Sequence, residues 1–258
     1  MKTKRNLSVF VFTIFLLSAS AQKDTTHYMF SFVSINAGYG MNTVSPASKI
    51  LITPFWGSNG PTASVMALLA LNESYFGIPV MLGYSAPKFD ATDYGMQNPD
   101  TAQQYKYYTY DRSKSGNYNI YYLMTGLDLK LPERTTREAF ELRFVVGPMI
   151  ATEPAFTYGY GNPNYLVEHV ASISAANTVA IAFSPGISFG YKLTQHMAIM
   201  ANADVLFAEM KFKATESWNG FYYVGYPRQI AILSAMGYLH LTGGIAYTFG
   251  KMTPNIAY

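Results

Sequence analysis

Apolar and polar residues alternate with a period of two along most of the chain. In the segment 178–192, Val179 and Ile181 fall on one side while Ala182 and Ser184 fall on the other. A period of two is the signal of a half-buried β-strand. Seven other segments are similar, although one of them, 63–71, is apolar on both faces. The eight predicted strands are 32–41, 63–71, 75–84, 118–131, 140–151, 178–192, 197–207 and 238–249.

The connections between these strands alternate in length. The short connections are 72–74, 132–139 and 194–196. The long connections are 42–62, 85–117, 152–177 and 208–237. Short turns at one end and long loops at the other are typical of bacterial outer-membrane barrels. We therefore predict an all-β fold, an eight-stranded antiparallel up-and-down transmembrane β-barrel.

Alternation alone also fits a water-soluble barrel such as a lipocalin, in which the apolar face points inward. The apolar face of the clearly alternating strands carries no charge. The opposite face is mostly small residues, with these six charges: Asp128, Lys130, Glu141, Arg143, Lys192 and Asp204. A water-exposed surface is normally much richer in charge. We therefore expect the apolar face to meet lipid and the sparsely charged face to line a narrow lumen.

Two strands can be aligned by their charges. If the strands on either side of the turn 132–139 pair regularly, Asp128 faces Arg143 and Lys130 faces Glu141. Both are opposite-charge pairs on the lumen side, and a shift of two residues would set Asp128 against Glu141. We expect these four residues to form structural lumen pairs. The alternative is that they are interfacial charges in contact with periplasmic water.

Three prolines lie inside predicted strands, at Pro79, Pro148 and Pro185. A closed barrel has no free edge at which a missing backbone N–H is harmless. We expect β-bulges at these positions, or strand segments that extend beyond the membrane.

The start of the chain has the pattern of a cleavable signal peptide. Three basic residues among the first five precede an apolar stretch, 7–17, and an A-x-A sequence at 19–21. Such a stretch is too short for a transmembrane helix, which needs about 20 residues. We predict a signal peptide at 1–21 and a single outer-membrane barrel domain at 22–258. Removing those three basic residues reduces Lys+Arg from 18 to 15, which equals the 15 Asp+Glu.

The composition excludes several classes of function. Cysteine is absent, which excludes disulfide frameworks, thiol catalysis and cysteinyl zinc sites. Charged residues make up 13% of the chain, against about 25% in ordinary soluble domains, and this argues against nucleic acid as a partner. Asp90, Asp93 and Asp100 do not have the spacing of an EF-hand. We expect no metal site and no cofactor.

The long loops are the expected working surface, because a rigid scaffold usually carries function on its loops. Tyrosine supplies a large contact area at low entropic cost. The candidate contact residues, which we expect to meet other envelope proteins, are Tyr105, Tyr107, Tyr108, Tyr110 and Trp218. The alternative for the first four is that 104–110 extends the barrel wall above the membrane.

Two other functions compete with that of a surface protein. An enzyme acting on lipid or peptide at the rim would use His169 or His240. For His240 we favour the alternative of a hydrogen-bonded residue that fills the lumen. A small-solute channel is disfavoured, because side chains fill the interior of an eight-stranded barrel. We therefore predict a non-enzymatic protein with no catalytic residue.

The segments INAGYG at 35–40, GIPVMLGY at 77–84 and HLTGGIAYTF at 240–249 resemble small outer-membrane β-barrel proteins of the OmpA/OmpX type and PorT-like barrels. The resemblance implies a location in the outer membrane of a Gram-negative bacterium, with membrane lipid as a partner. It also implies a role in envelope structure, in surface interaction or as accessory of an envelope or secretion complex. Members of this family commonly end on an aromatic assembly signal, which here is Phe249 or Tyr258.

Overall fold

A computed structural model describes residues 31–43, 53–54, 57–71, 75–89, 116–131, 137–162, 167–194, 196–220 and 223–249. The predicted signal peptide lies outside these residues. The strands are β1 (Ser31–Asn42), β2 (Thr53–Pro54), β3 (Gly60–Ala70), β4 (Phe76–Ser85), β5 (Asn119–Leu131), β6 (Glu138–Glu153), β7 (Phe156–Asn162), β8 (Val167–Ile173), β9 (Ala176–Lys192), β10 (Met197–Gly220) and β11 (Tyr223–Phe249). No helix long and apolar enough to cross a membrane occurs in the described part of the chain.

Eight of the strands close into a ring. The order β1-β3-β4-β5-β6-β9-β10-β11 returns to β1, and every neighbouring pair is antiparallel. The prediction of an eight-stranded antiparallel barrel is confirmed, and each ring strand overlaps a predicted segment.

The registers fix the size of the barrel. Following Cα partners around the ring from Phe207 leads through β9, β6, β5, β4, β3, β1 and β11 back to β10 at Met197, ten residues from the start. A stagger of ten residues over eight strands corresponds to a strand tilt of about 40° and a radius of about 8 Å. Such a barrel has room for side chains in its interior but not for an open aqueous pore.

The apolar face points outward. Ile35 is 68% exposed, Val179 72% and Ile181 67%, whereas Asp128 is 0% and Arg143 1% exposed. Aromatic pairs mark both ends of the outer belt: Tyr84 and Tyr121, with ring centroids 4.9 Å apart, near the long loops, and Tyr247 and Phe249, 5.0 Å apart, near the turns. This is the lipid-facing belt of a transmembrane barrel, with its interfacial girdles.

Two long connections contain strands that the sequence pattern does not predict. β10 and β11 pair far beyond the ring, as far as Gly220 and Tyr223, so the prediction of a loop at 208–237 is wrong. The period of two continues there, but the outward residues change from apolar to charged, as at Lys211 and Lys213. The predicted loop 152–177 likewise contains the hairpin β7–β8, and β8 pairs with the far end of β10.

The prolines are accommodated without bulges. Gly77 pairs with Asp128 and Val80 with Thr125, so the β4–β5 register is the same on both sides of Pro79. The registers across Pro148 and Pro185 are likewise unchanged. In one of its two ladders, each proline lacks its own pair and one adjacent pair. The expected bulges are therefore wrong, because the ladder loses local hydrogen bonds without gaining a residue.

Candidate functional site

The middle of the lumen is built around Arg143 on β6. Its guanidinium lies 3.1 Å from the Asp204 carboxylate on β10 and donates a 2.6 Å hydrogen bond to the Ser188 hydroxyl on β9. It also contacts the sulfur of Met66 on β3. All four side chains are buried. A buried ion pair needs further hydrogen bonds to offset the loss of hydration, and Ser188 and Asn202 accept such bonds from the guanidinium.

Gly186 explains why Arg143 reaches Asp204. It is the Cα partner of Arg143 on one side and of Asp204 on the other, so the ion pair crosses the intervening strand β9. A Cβ on Gly186 would collide with Asp204 Oδ1. Because Gly186 has no side chain, space is left above it in which the guanidinium and the carboxylate meet.

Hydrogen bonds extend this network across the lumen. Ser188 donates to Asn202 Oδ1 at 2.7 Å, and Asn202 Nδ2 donates to Asn36 Oδ1 at 3.1 Å and to Thr242 Oγ1 at 3.2 Å. Asn36 in turn donates to Ser34 Oγ at 3.0 Å. The network thus joins β6, β9, β10, β11 and β1, and its polar groups are largely satisfied by one another.

The four charges singled out in the sequence all point into the lumen. Asp128 is the Cα partner of Arg143, and Lys130 is that of Glu141, with all four side chains buried. The ion pair of Arg143 is nevertheless with Asp204, and neither Asp128 carboxylate oxygen accepts a hydrogen bond from a described residue. The roles of Asp128, Lys130 and Glu141 as lumen charge pairs stay a prediction.

A second polar group lies nearer the long loops. His240 Nε2 is 3.0 Å from Ser85 Oγ, which is 2.9 Å from Thr62 Oγ1. The His240 ring stacks on Tyr122, with centroids 5.9 Å apart, and meets the edge of Tyr238 at 5.2 Å. A serine beside a histidine is the start of a nucleophilic arrangement. Here Ser85 is 0% and His240 3% exposed, so both side chains are buried inside the barrel.

Aromatic side chains close the long-loop end of the lumen. The ring centroids of Phe89 and Phe156 are 4.5 Å apart, those of Phe89 and Tyr118 are 5.7 Å apart, and those of Tyr118 and Phe212 are 6.3 Å apart. All four side chains are buried. The Tyr118 hydroxyl donates to the buried Glu153 Oε1 at 3.2 Å. We call these five residues the upper plug.

Beyond the upper plug, the sheet continues out of the barrel. We define the cap as residues 209–220 and 223–235 of β10 and β11 together with β2, β7 and β8. Trp218 lies in the cap on β10, where its backbone pairs with Ala171 and Gly225. His169 lies on β8, paired with Tyr160 and Gly220. Tyr105, Tyr107, Tyr108 and Tyr110 lie outside the described residues, so their contact role stays a prediction.

No group of three or more histidine, aspartate or glutamate side chains arranged to hold a metal ion occurs among the described residues. The acidic loop segment 90–100 lies outside them. The lumen carboxylates are instead spread along the height of the barrel.

Sequence reasoning missed the partners that matter most to Arg143. Asp204 and Asn202 fall on the lumen side of their strand, which the alternation shows, but their contact with β6 depends on two successive registers. The Pro185–Gly186 step was a usable signal, because a glycine on the polar face leaves space for neighbouring side chains. The upper plug gave no comparable signal, since its residues come from four separate parts of the chain.

The architecture assigns the protein to a class. A closed antiparallel ring with an apolar outer belt, aromatic girdles, short connections at one end and long connections at the other is the architecture of bacterial outer-membrane barrels. The protein is an integral barrel of the Gram-negative outer membrane. The long connections, and with them the cap, lie on its extracellular side.

No protein-family model matches the sequence, and no curated protein matches it. Similar solved structures include Neisserial surface protein A, with 11% identity and a TM-score of 0.46 over 85% of this chain and 97% of that one. A major outer membrane protein from Thermus thermophilus has 15% identity and a TM-score of 0.46 over 86% and 100%. OprG from Pseudomonas aeruginosa has 11% identity and a TM-score of 0.43 over 88% and 100%. These values are too low to transfer a role, and the PorT-like resemblance stays a prediction.

Proposed function

We propose that the protein is a non-enzymatic outer-membrane barrel with a filled lumen, which presents the cap for surface interaction or as an accessory of an envelope complex. Two groups of buried side chains inside the barrel, the Arg143 network and the upper plug, support a filled lumen. The continuation of β10 and β11 well past the ring supports the role of the cap. A membrane-crossing strand needs about 9–11 residues. β10 has 24 and β11 has 27.

The cap also offers an edge for strand pairing. β7 stands at the end of the sheet order and, within the described residues, pairs only with β8. The unpaired backbone groups of an edge strand are a template for an extended segment of another protein. This favours an envelope protein as the partner over a small solute.

Planar-bilayer recordings test the filled lumen. We expect the purified protein to insert without steady conductance, since its interior is occupied by buried side chains. Steady discrete conductance would contradict the proposal and favour the small-solute channel. Heat-modifiable gel migration of the same sample verifies that the barrel is folded.

Site-specific photo-crosslinking in whole cells tests the cap. A photoreactive residue replaces the exposed Gln229 of the cap, and the matched control replaces Ile187 on the lipid belt. We expect a discrete cross-linked envelope protein from position 229 and none from position 187. The absence of any adduct at 229, together with loss of lipid or peptide turnover in His240→Ala, would favour the rim enzyme.

A further inference from the structure

Two lysines lie just outside the lipid belt on β10. Lys211 and Lys213 are both exposed and, being two residues apart on one strand, point to the same side of the sheet, away from the barrel axis. Their Cα partners on β11 are the uncharged Leu233 and Ala231. Neither lysine forms an ion pair with a described residue. The nearest acidic side chain on that face of β10 is Glu209, on the membrane side of the pair.

The strand geometry fixes the height of these lysines. Phe207, the last outward aromatic residue on β10 before them, is 44% exposed. With the tilt derived from the registers, Phe207 lies within about 3 Å of the height of Tyr84 and Tyr121 in the extracellular girdle. Lys211 then lies about 10 Å above that girdle and Lys213 about 15 Å above it. The headgroup layer is about 5–8 Å thick on each side of the hydrocarbon core, so both lysine Cα atoms lie above it. The long, flexible lysine stems bring the ammonium groups back toward the lipid phosphates.

The backbone beneath the lysines is held in place. The Thr178 hydroxyl on β9 donates a 2.9 Å hydrogen bond to the carbonyl oxygen of Lys211. The intervening Phe212 points the other way and is buried in the upper plug. The two ammonium groups are therefore presented from a fixed strand.

From this placement we propose that Lys211 and Lys213 form a binding site for a phosphate group carried by an outer-leaflet lipid. Lysine is a strong point-charge ligand for phosphate, and basic side chains at the headgroup level attract anionic lipids. The lysines point sideways into the membrane border, so a membrane lipid reaches them directly. The inference rests on the outer-membrane location. Both lysines lie in the part of the cap nearest the membrane, but the lipid site does not require the cap to bind another protein.

Native mass spectrometry of protein reconstituted in phosphatidylcholine, with and without phosphatidate, tests the site. We compare the wild type with K211Q/K213Q and with R137Q, which removes an exposed positive charge at the opposite, short-turn end. Each ammonium near an anionic lipid contributes about fivefold in affinity, so we expect retained phosphatidate to fall roughly 25-fold in K211Q/K213Q. R137Q is expected to retain as much as the wild type.

Three outcomes would overturn the inference. Equal phosphatidate retention by the wild type and K211Q/K213Q would show that the lysines do not bind it. A loss of about fivefold in R137Q, which removes one charge instead of two, would show that only total charge matters. Displacement of phosphatidate by inorganic phosphate at matched concentration would identify a free-anion site. Unchanged heat-modifiable migration of K211Q/K213Q and R137Q verifies that both variants are folded, so that none of these outcomes can be due to misfolding.

Discussion

At the scale of single residues, the packing of the lumen depends on where glycine leaves space as well as on which side chains fill it. Gly186 lets Arg143 meet Asp204 across β9. On the lipid face, Gly243 is exposed, and the nearest atom to a Cβ there would be Met200 O at 3.8 Å, an ordinary contact. We therefore expect replacement by alanine to destabilise the protein at Gly186 and to have little effect at Gly243.

Gly186→Ala should lower the free energy of unfolding by about 1–3 kcal/mol, because the new methyl group displaces a buried carboxylate from its ion pair. Gly243→Ala, the matched control, should change it by less than about 0.5 kcal/mol. Urea-induced unfolding of the detergent-refolded protein, followed by circular dichroism, measures both. Equal values for the two variants would show that the space at Gly186 is not needed.

Arg143→Met leaves the Asp204 carboxylate buried without its partner and should cost about 3–5 kcal/mol. Adding Asp204→Leu should restore part of this loss, because an apolar pair replaces the ion pair without leaving a charge. The same unfolding experiment, arranged as a double-mutant cycle, is expected to give a coupling energy of about 0.5–3 kcal/mol. Additive effects would mean that the two groups do not interact.

At the scale of elements, alternation located the eight ring strands because each has one lipid-facing side. It did not locate the outer parts of β10 and β11, where the outward positions carry Glu209, Lys211 and Lys213 and the inward ones pack into the cap. Where a strand leaves the membrane, the two-residue alternation continues, but the outward face becomes polar and the inward face apolar. Ion pairs such as Arg143–Asp204 stay hidden for a different reason, because their partners lie two strands apart.

The cap should respond to mutation separately from the barrel. Phe212→Ala removes a buried ring that contacts Tyr118, a change that costs about 3–5 kcal/mol in a packed core. We expect trypsin to cleave at Lys211 and Lys213 at least about tenfold faster in proteoliposomes, through opening of the cap alone. The control is Gln229→Ala, which removes an exposed side chain from the facing strand.

Heat-modifiable migration of the uncleaved Phe212→Ala protein reports on the barrel itself. It should match that of the wild type, since the ring strands below Phe207 keep all their partners. Loss of the folded band in this variant would show that the cap and the barrel unfold as one unit.

At the scale of the whole molecule, the scarcity of charge in the sequence and the closed ring have a common explanation. Lipid covers the outer face, so the chain needs few charged residues, and those that point inward lie in a narrow lumen lined with polar groups. The strand count was predictable from the number of alternating segments. The stagger of ten residues was not predictable, because it is the sum of eight separate registers. The contacts that cross the lumen depend on the same registers and were therefore not predictable either.

Lipid contact on the outer face predicts a dependence on depth. Ile187 and Val179 both point outward from β9 and are 56% and 72% exposed. With the tilt of the barrel, Ile187 lies about 20 Å closer to the turn end, well inside the belt, whereas Val179 lies at its extracellular border. Ile187→Arg should therefore cost about 2–4 kcal/mol and Val179→Arg about 0–1 kcal/mol when unfolding is measured in lipid vesicles. An outer face in water would tolerate both substitutions equally, so two small and equal effects would contradict the lipid-facing orientation on which the lumen, the cap and the lysine site all depend.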